Sequence, residues 1–174
     1  MRDSETLLVE RAREGDREAF AALVEAHWDR LVRLARSVVG EAESEDLVQD
    51  GLLVAWRKLG GLTEPSAFSS WVTRVVLRLC LRRTRFRRPW IPLDRVPEPT
   101  ADSDPGTRID VERLLGSLAP RQRAVIHLTA VEGMADSEIA ALLGISPAGV
   151  RSHRRRARER LTHRLSGPEK GTRR

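Results

Sequence analysis

The stretch DSEIAALLGISPAGVRSHRRRARERL, residues 136–161, admits few folds. Ile139, Leu142 and Leu143 recur at helical spacing, and Ala140 and Ala141 are small enough for a second helix to cross closely. Gly144 supplies the positive-φ stop that ends a helix. Ser146 suits an N-cap and Pro147 the first helical position, so a new helix starts there. In that helix Val150, Ala157 and Leu161 make an inward stripe, while Arg151, Ser152, Arg155 and Arg158 face outward. Seven arginines lie within residues 151–164. Two short helices joined by a glycine turn, the second of them basic, describe a helix-turn-helix that reads duplex DNA. The competing reading is a helical hairpin with a solvated basic face.

Charge supports an anionic partner. The net charge is +6 and the sequence pI about 10.9. Its distribution says more than its size: arginines crowd residues 78–88 and 151–164, while acids crowd residues 41–50. That pattern predicts two nucleic-acid contacts and one surface for a basic protein partner. Only Lys58 and Lys170 are lysines among the 31 basic residues, and arginine is the better reader of bases and phosphates. The mean hydropathy of −0.39 is far too polar for a membrane protein. No run approaches the length of a transmembrane span, and MRDSETLLVERAR is too charged for a signal peptide, so a cytoplasmic location is expected. The single Cys80 excludes an internal disulfide, and His27, His127, His153 and His163 show no metal-ligand spacing, so no metal and no cofactor are expected.

Periodicity elsewhere is helical throughout. Residues 5–13 suggest a short helix and residues 17–39 a long one, with Phe20, Leu23, Val24, Trp28, Leu31, Leu34, Ala35 and Val38 inward and room for one break near His27. Gly40 ends it. Ser44 can cap the next helix, whose buried side is Leu47, Val48, Leu52, Ala55, Trp56 and Leu59 and which stops at Gly60-Gly61. Its other side shows Asp46, Gln49 and Asp50. A further helix over 66–85 places Phe68, Trp71, Val72, Val75 and Leu79 inward. Residues 89–109 carry Pro89, Pro92, Pro97, Pro99 and Pro105 without apolar periodicity, as a semi-extended linker does. Stretched out, 21 residues reach roughly 70 Å, about two turns of duplex. Beyond it come a short helix ending at Leu118, one opened by Pro120 and stopped at Gly133, and the helix-turn-helix. The fold class expected is all-α: a helical bundle over 1–88, the linker over 89–109, a four-helix unit over 110–166, and a disordered tail over 167–174.

Three segments together carry a resemblance. EDLVQDGLLVAWRKL (45–59), AFSSWVTRVV (67–76) and LAPRQRAVIHLTAVEGMADSEIAALLGISPAGVRSHRRRARERL (118–161) resemble, in order, segments of the extracytoplasmic function sigma factors. These are the smallest members of the main bacterial sigma family. The resemblance implies a protein that binds core RNA polymerase, gives it promoter specificity and helps open the duplex. It implies that the helix bearing Asp46, Gln49 and Asp50 meets the β′ clamp helices, where acids suit basic partners. It implies that the helix around Trp71 recognises and melts the −10 element, with Arg74, Arg78, Arg82 and Arg83 interleaved. Aromatic rings and guanidinium planes stack on flipped bases while cations follow the phosphates. Trp71 also lies on the apolar stripe, so core packing and DNA contact both remain open for it.

The second domain, by the same resemblance, docks on the polymerase β flap and reads the −35 element, with Arg151, Ser152 and Arg155 at DNA-facing positions; Ser146 is expected at the duplex too, and Arg156, Arg158 and Arg160 at phosphates or in solvent. An anti-sigma factor is a further partner the family makes possible. Four positions depart from the family pattern. Arg78 stands where Asn is usual and Arg82 where Asp is frequent, which bears on the −10 preference. Arg154 replaces a common Leu and weakens the inner stripe, and Ala135 replaces a capping Ser or Thr, a role Asp136 is then expected to assume.

Two other function classes compete. A stand-alone helix-turn-helix regulator would carry a helical sensor or dimerisation domain in front, with no need of an acidic polymerase face or a basic-aromatic melting helix. A nuclease would need converging carboxylates or a His pair in a pocket, and the acids of residues 41–50 lie along one helix instead. No catalytic residues are expected.

Overall fold

The computed structural model describes residues 2–86 and 111–165, and the regular structure among them is entirely helical. The expected linker and tail lie outside the described residues.

Helix α1 (Arg2–Arg13) buries Val9 and Ala12. Asp16 joins it to α2 (Arg17–Val39): its Oδ1 accepts from the amides of Glu18 and Ala19 at 2.9 and 3.1 Å, and its Oδ2 accepts from Arg11 Nη2 at 2.6 Å. One carboxylate thus caps α2 and clamps the turn before it. Those amides and the Arg11 guanidinium hold its carboxyl below the usual range. Helix α2 runs unbroken through His27, contrary to the room left for a break. The imidazole is buried against the Phe68 ring, 5.5 Å between centroids, and its Nε2 lies 3.3 Å from Glu5 Oε1. With its polar atom satisfied by α1, the ring imposes no interruption on the helix.

Gly40, at φ +90°, turns the chain directly into α3 (Glu41–Lys58). Ser44 is therefore not the cap expected of it. It lies one turn inside α3, buried, with its Oγ donating to the Glu41 carbonyl at 2.9 Å. Helix α4 (Phe68–Phe86) follows two 3-10 turns, Leu59–Gly61 and Pro65–Ala67. Its buried stripe is Phe68, Val72, Val76, Leu77 and Cys80, whereas Trp71, Val75 and Leu79 stay half-buried. The rotation follows from close packing on α3. A Cβ added at Gly51 would stand 2.7 Å from Val76 Cγ2, so the missing side chain is what lets the two helices meet there.

The second unit comprises α5 (Val111–Gly116), α6 (Pro120–Ala130), α7 (Asp136–Leu143) and α8 (Pro147–Leu165). Helices α6 and α7 both start after an alanine, which has no capping oxygen. Gln122 Oε1 and Glu138 Oε2 reach back to the Ala119 and Ala135 amides at 2.9 and 2.8 Å, the surviving half of a capping box. Gly144 adopts the left-handed conformation, and Ser146 Oγ accepts from the Gly149 amide at 3.1 Å, so the turn forms as its sequence predicts.

The two units rest against each other, α2 on α6 and α4 on both α6 and α7, and their cores form one connected apolar cluster. Arg30 of α2 spans the junction. Its Nη2 donates to Thr73 Oγ1 at 2.7 Å and to Ser69 Oγ at 3.2 Å, both on α4, while its Nη1 donates to Glu132 Oε2 at 2.8 Å, just beyond α6. Burial opposes charge on Glu132, yet His127, 3.8 Å away, and Arg30 together hold its carboxyl below the ordinary value.

Two outcomes follow. Glu132→Arg places like charges across the junction and is expected to separate the units. Small-angle scattering should then give a radius of gyration well above the about 16 Å of a compact chain of this length. Adding Arg30→Glu should restore compactness; an unchanged radius in the single variant would show that the apolar seam alone holds the units together. For His27, burial is the main influence and lowers its pKa below 6.5, with Glu5 partly offsetting it and Arg30 adding to it. The unfolded chain therefore takes the proton first, so this contribution is undiminished above about pH 6.5 and stability falls as pH drops below that. Urea midpoints measured from about pH 7 to pH 5.5 should decline less in His27→Gln than in the parent.

Candidate nucleic-acid interface

Helix α8 crosses α7 with Val150 and Ala157 buried and Leu161 half-buried, which turns the opposite side to solvent. Arg151, Arg155, Arg156 and Arg158 are exposed there, and Ser152 is half-buried beside them. Arg155 Nη1 pairs with Glu159 Oε1 at 2.9 Å, one turn along the same helix. The Ser146 hydroxyl, expected at DNA, serves in this structure as the helix cap.

Arg154 corrects the expectation made of it. Its guanidinium grips Asp136 with two parallel bonds, Nη1 to Oδ1 at 2.6 Å and Nη2 to Oδ2 at 3.1 Å. An ion pair thus ties the start of α7 to α8 where an apolar contact was expected to be lost. Asp136 in turn does not cap α7. It occupies the first helical position with its carboxylate committed to Arg154, and that bond foremost holds its carboxyl below the usual range. Arg151 Nη1 stands 3.7 Å from the same Oδ2.

On α4, Trp71, Arg74, Arg78 and Arg82 succeed one another at three- and four-residue steps and share a face. Trp71 is half-buried with its ring 6.1 Å from that of Phe68, so part of the indole packs and part is exposed. Arg74 is half-buried and its Nε is enclosed without a hydrogen-bond partner, while Arg78 and Arg82 are exposed. Arg83 points elsewhere: its Nε donates to Glu43 Oε2 at 2.6 Å and fastens α4 to the first turn of α3. Cys80 is buried, and burial pushes its thiol up to about 12, which leaves it unreactive.

Asp46, Gln49 and Asp50 are exposed along α3, as expected. Beside them runs a groove of about 470 Å³ between α2 and α3, lined by Phe20, Val24, Trp28, Leu52, Leu53 and Trp56, with Gln49 at its edge. The Phe20 and Trp56 rings are 4.8 Å apart. Periodicity had placed Phe20, Val24 and Trp28 in the core; they border it and face the groove. Leu53, 55% exposed, was missed altogether. The signal was present, since Leu53 follows Gln49 by four residues and so sits on the polar side of α3. The molecule therefore presents a cationic face on α8, an aromatic-cationic face on α4, and an acidic stretch of α3 beside an apolar groove.

Known families match both units. Residues 23–89 match the family model described as Sigma-70 region 2, and residues 108–161 match Sigma-70, region 4. The chain belongs to the sigma-70 family. It is similar to the ECF RNA polymerase sigma factor SigM of Mycobacterium tuberculosis, 37% identical over 156 residues that cover 87% of this chain and 79% of that one. It is similar also to the RNA polymerase sigma factor CnrH of Cupriavidus metallidurans, 32% identical over 178 residues covering 92% and 93%. Among solved structures, CnrH in complex with the cytosolic domain of CnrY aligns over 94% of this chain and 97% of that one, with a TM-score of 0.70.

This chain is thus a sigma factor of the extracytoplasmic function type, a factor that directs transcription initiation. Among the described residues, no helix of the sigma factor is long and apolar enough to cross a membrane. The match to region 2 holds α3, α4 and most of α2, and the match to region 4 holds α5 to α7 and most of α8.

Proposed function

We propose that this sigma factor, itself without covalent chemistry and acting in the cytoplasm, engages core polymerase through α3 and reads a promoter at two separated points. What carries the assignment of surfaces is that the matched sigma-70 regions leave charged helix faces open: acidic on α3 and cationic on α4 in region 2, and cationic on α8 in region 4. Asp46, Gln49 and Asp50 meet the β′ clamp helices, and Leu53 fills the apolar centre that such a contact needs, with the acids as its rim. Trp71, Arg74, Arg78 and Arg82 take the opened strand of the −10 element. Arg151 and Arg155 read the −35 duplex, Arg156 and Arg158 hold its phosphates, and the region around them docks on the β flap.

Reading two elements about two duplex turns apart calls for the two units to separate, so the seam at Arg30 opens when the protein works. An anti-sigma factor is the natural partner of the closed form, as the pairing of CnrH with CnrY suggests.

Transcription in vitro with core polymerase on fragmented genomic DNA tests the whole assignment. Start sites should share two upstream elements at fixed spacing. Specific, salt-resistant duplex binding by the protein alone, with no effect on polymerase, would instead mark a stand-alone regulator. Asp50→Arg and Leu53→Asp should each weaken core binding by about tenfold or more, measured by competition against the parent; full affinity in both would remove α3 from the interface. Arg155→Ala should keep core binding and lose selection within the −35 element, so that its output on parent and upstream-scrambled promoters becomes equal.

A further inference from the structure

Three charged groups meet where α7 begins beside α8. Arg154 occupies both oxygens of the Asp136 carboxylate at 2.6 and 3.1 Å, and Arg151, one turn earlier on α8, reaches within 3.7 Å of Oδ2. The two guanidiniums differ in exposure, 21% for Arg154 and 59% for Arg151. Arg154 is therefore enclosed and fixed, with its planar fork matched to a planar carboxylate. Arg151 is steered by the same carboxylate without being consumed by it, since 3.7 Å exceeds a hydrogen bond and a guanidinium carries five donors.

We propose that Asp136, locked by Arg154, positions Arg151 for base recognition. Both residues are then determinants of sequence preference at the one base pair Arg151 reads, although neither needs to touch DNA. The proposal rests on the assignment of Arg151 as a base reader. Two physical points favour a positioning role over a plain strut. A lone carboxylate at the rim of a DNA-binding helix would repel phosphate; paired with two arginines the cluster keeps a net single positive charge, so it does not weaken binding. A long exposed arginine otherwise loses much rotamer freedom when it docks on a guanine edge, and a partner that already limits its range reduces that loss. Arg155, by contrast, is paired to Glu159 on its own helix, and both partners are exposed. Arg151 is thus the reader best prepared by its surroundings.

The test uses the full chain with core polymerase on a promoter library randomised through the −35 element, scoring preference at each position. Arg151→Ala should flatten one position. Asp136→Ala should reduce preference at that same position by about fivefold or more, the lower end of what a bidentate arginine–base contact discriminates, and leave the other positions intact. Arg154→Leu keeps apolar packing between α7 and α8 while releasing Asp136 to draw Arg151 inward. It should show the same single-position loss with an undiminished thermal midpoint, which guards against a misfolded alanine variant. Asp136→Glu, which retains the charge, should recover part of the preference. Uniform weakening at every position, together with a lower midpoint, would reduce the cluster to a strut and overturn the proposal. Should Arg151→Ala flatten a position that Asp136→Ala and Arg154→Leu leave unchanged, positioning fails while base reading survives. Should Arg151→Ala change no position, base reading and positioning fall together.

Discussion

Arg30 is the side chain on which the arrangement of the whole sigma factor turns. It donates to two hydroxyls of α4 and to a carboxylate beyond α6, so one guanidinium ties two helices of the first unit to the turn after α6 in the second. The apolar seam around it supplies area, but apolar contact is non-directional and would tolerate sliding. A fork with defined donor positions does not. Removing two charges from water largely cancels what their attraction returns, so such a pair sets geometry more than it adds affinity. An interface built this way is well defined when shut and inexpensive to part, as a protein with two separated targets requires.

The same logic of committed charge runs through the rest of the molecule. A net charge of +6 reads as a diffuse attraction to DNA, yet much of the arginine is already employed inside the fold. Arg11 clamps Asp16, Arg83 clamps Glu43, and Arg154 clamps Asp136. Each of these pairs joins two helices, and each withdraws one arginine from the pool facing DNA. Arg78 on α4 and Arg156 and Arg158 on α8 stay exposed outside those clamps, as do Arg13, Arg17, Arg33 and Arg57 on the first three helices, while Arg151 shares Asp136 with Arg154.

How much of this was legible beforehand depended on range. Local signals performed well: Gly40 and Gly144 end helices, Pro120 and Pro147 open them, and Ser146 caps α8, because each acts within one turn of itself. Stripe membership failed at the edges. Phe20, Val24 and Trp28 carry core spacing, but an open groove is left between them and α3, and a one-dimensional pattern cannot show how closely a neighbour packs. Ser44 failed because Gly40 and Glu41 had already started the helix that it was expected to start. Gly51 gave a faint sign, a glycine inside an otherwise good helix, whose meaning appears only once Val76 stands against it. Contacts across distance, such as Arg30 with Glu132, left no trace in the sequence at all.

Arg154 shows how two departures from a family pattern can explain each other. Taken singly, an arginine at a leucine position loosens α8, and an alanine before α7 removes a cap. In the fold the losses are made good by neighbours. Glu138 takes the Ala135 amide, which frees Asp136 from capping, and the freed carboxylate receives Arg154. The hold between the two helices has thereby changed in kind, from shapeless apolar contact to a directional pair that also reaches Arg151. An apolar contact could only keep the recognition helix in place. A charged one also reaches a second side chain, so the Asp136 that Arg154 holds is shared with Arg151 on the exposed face of α8.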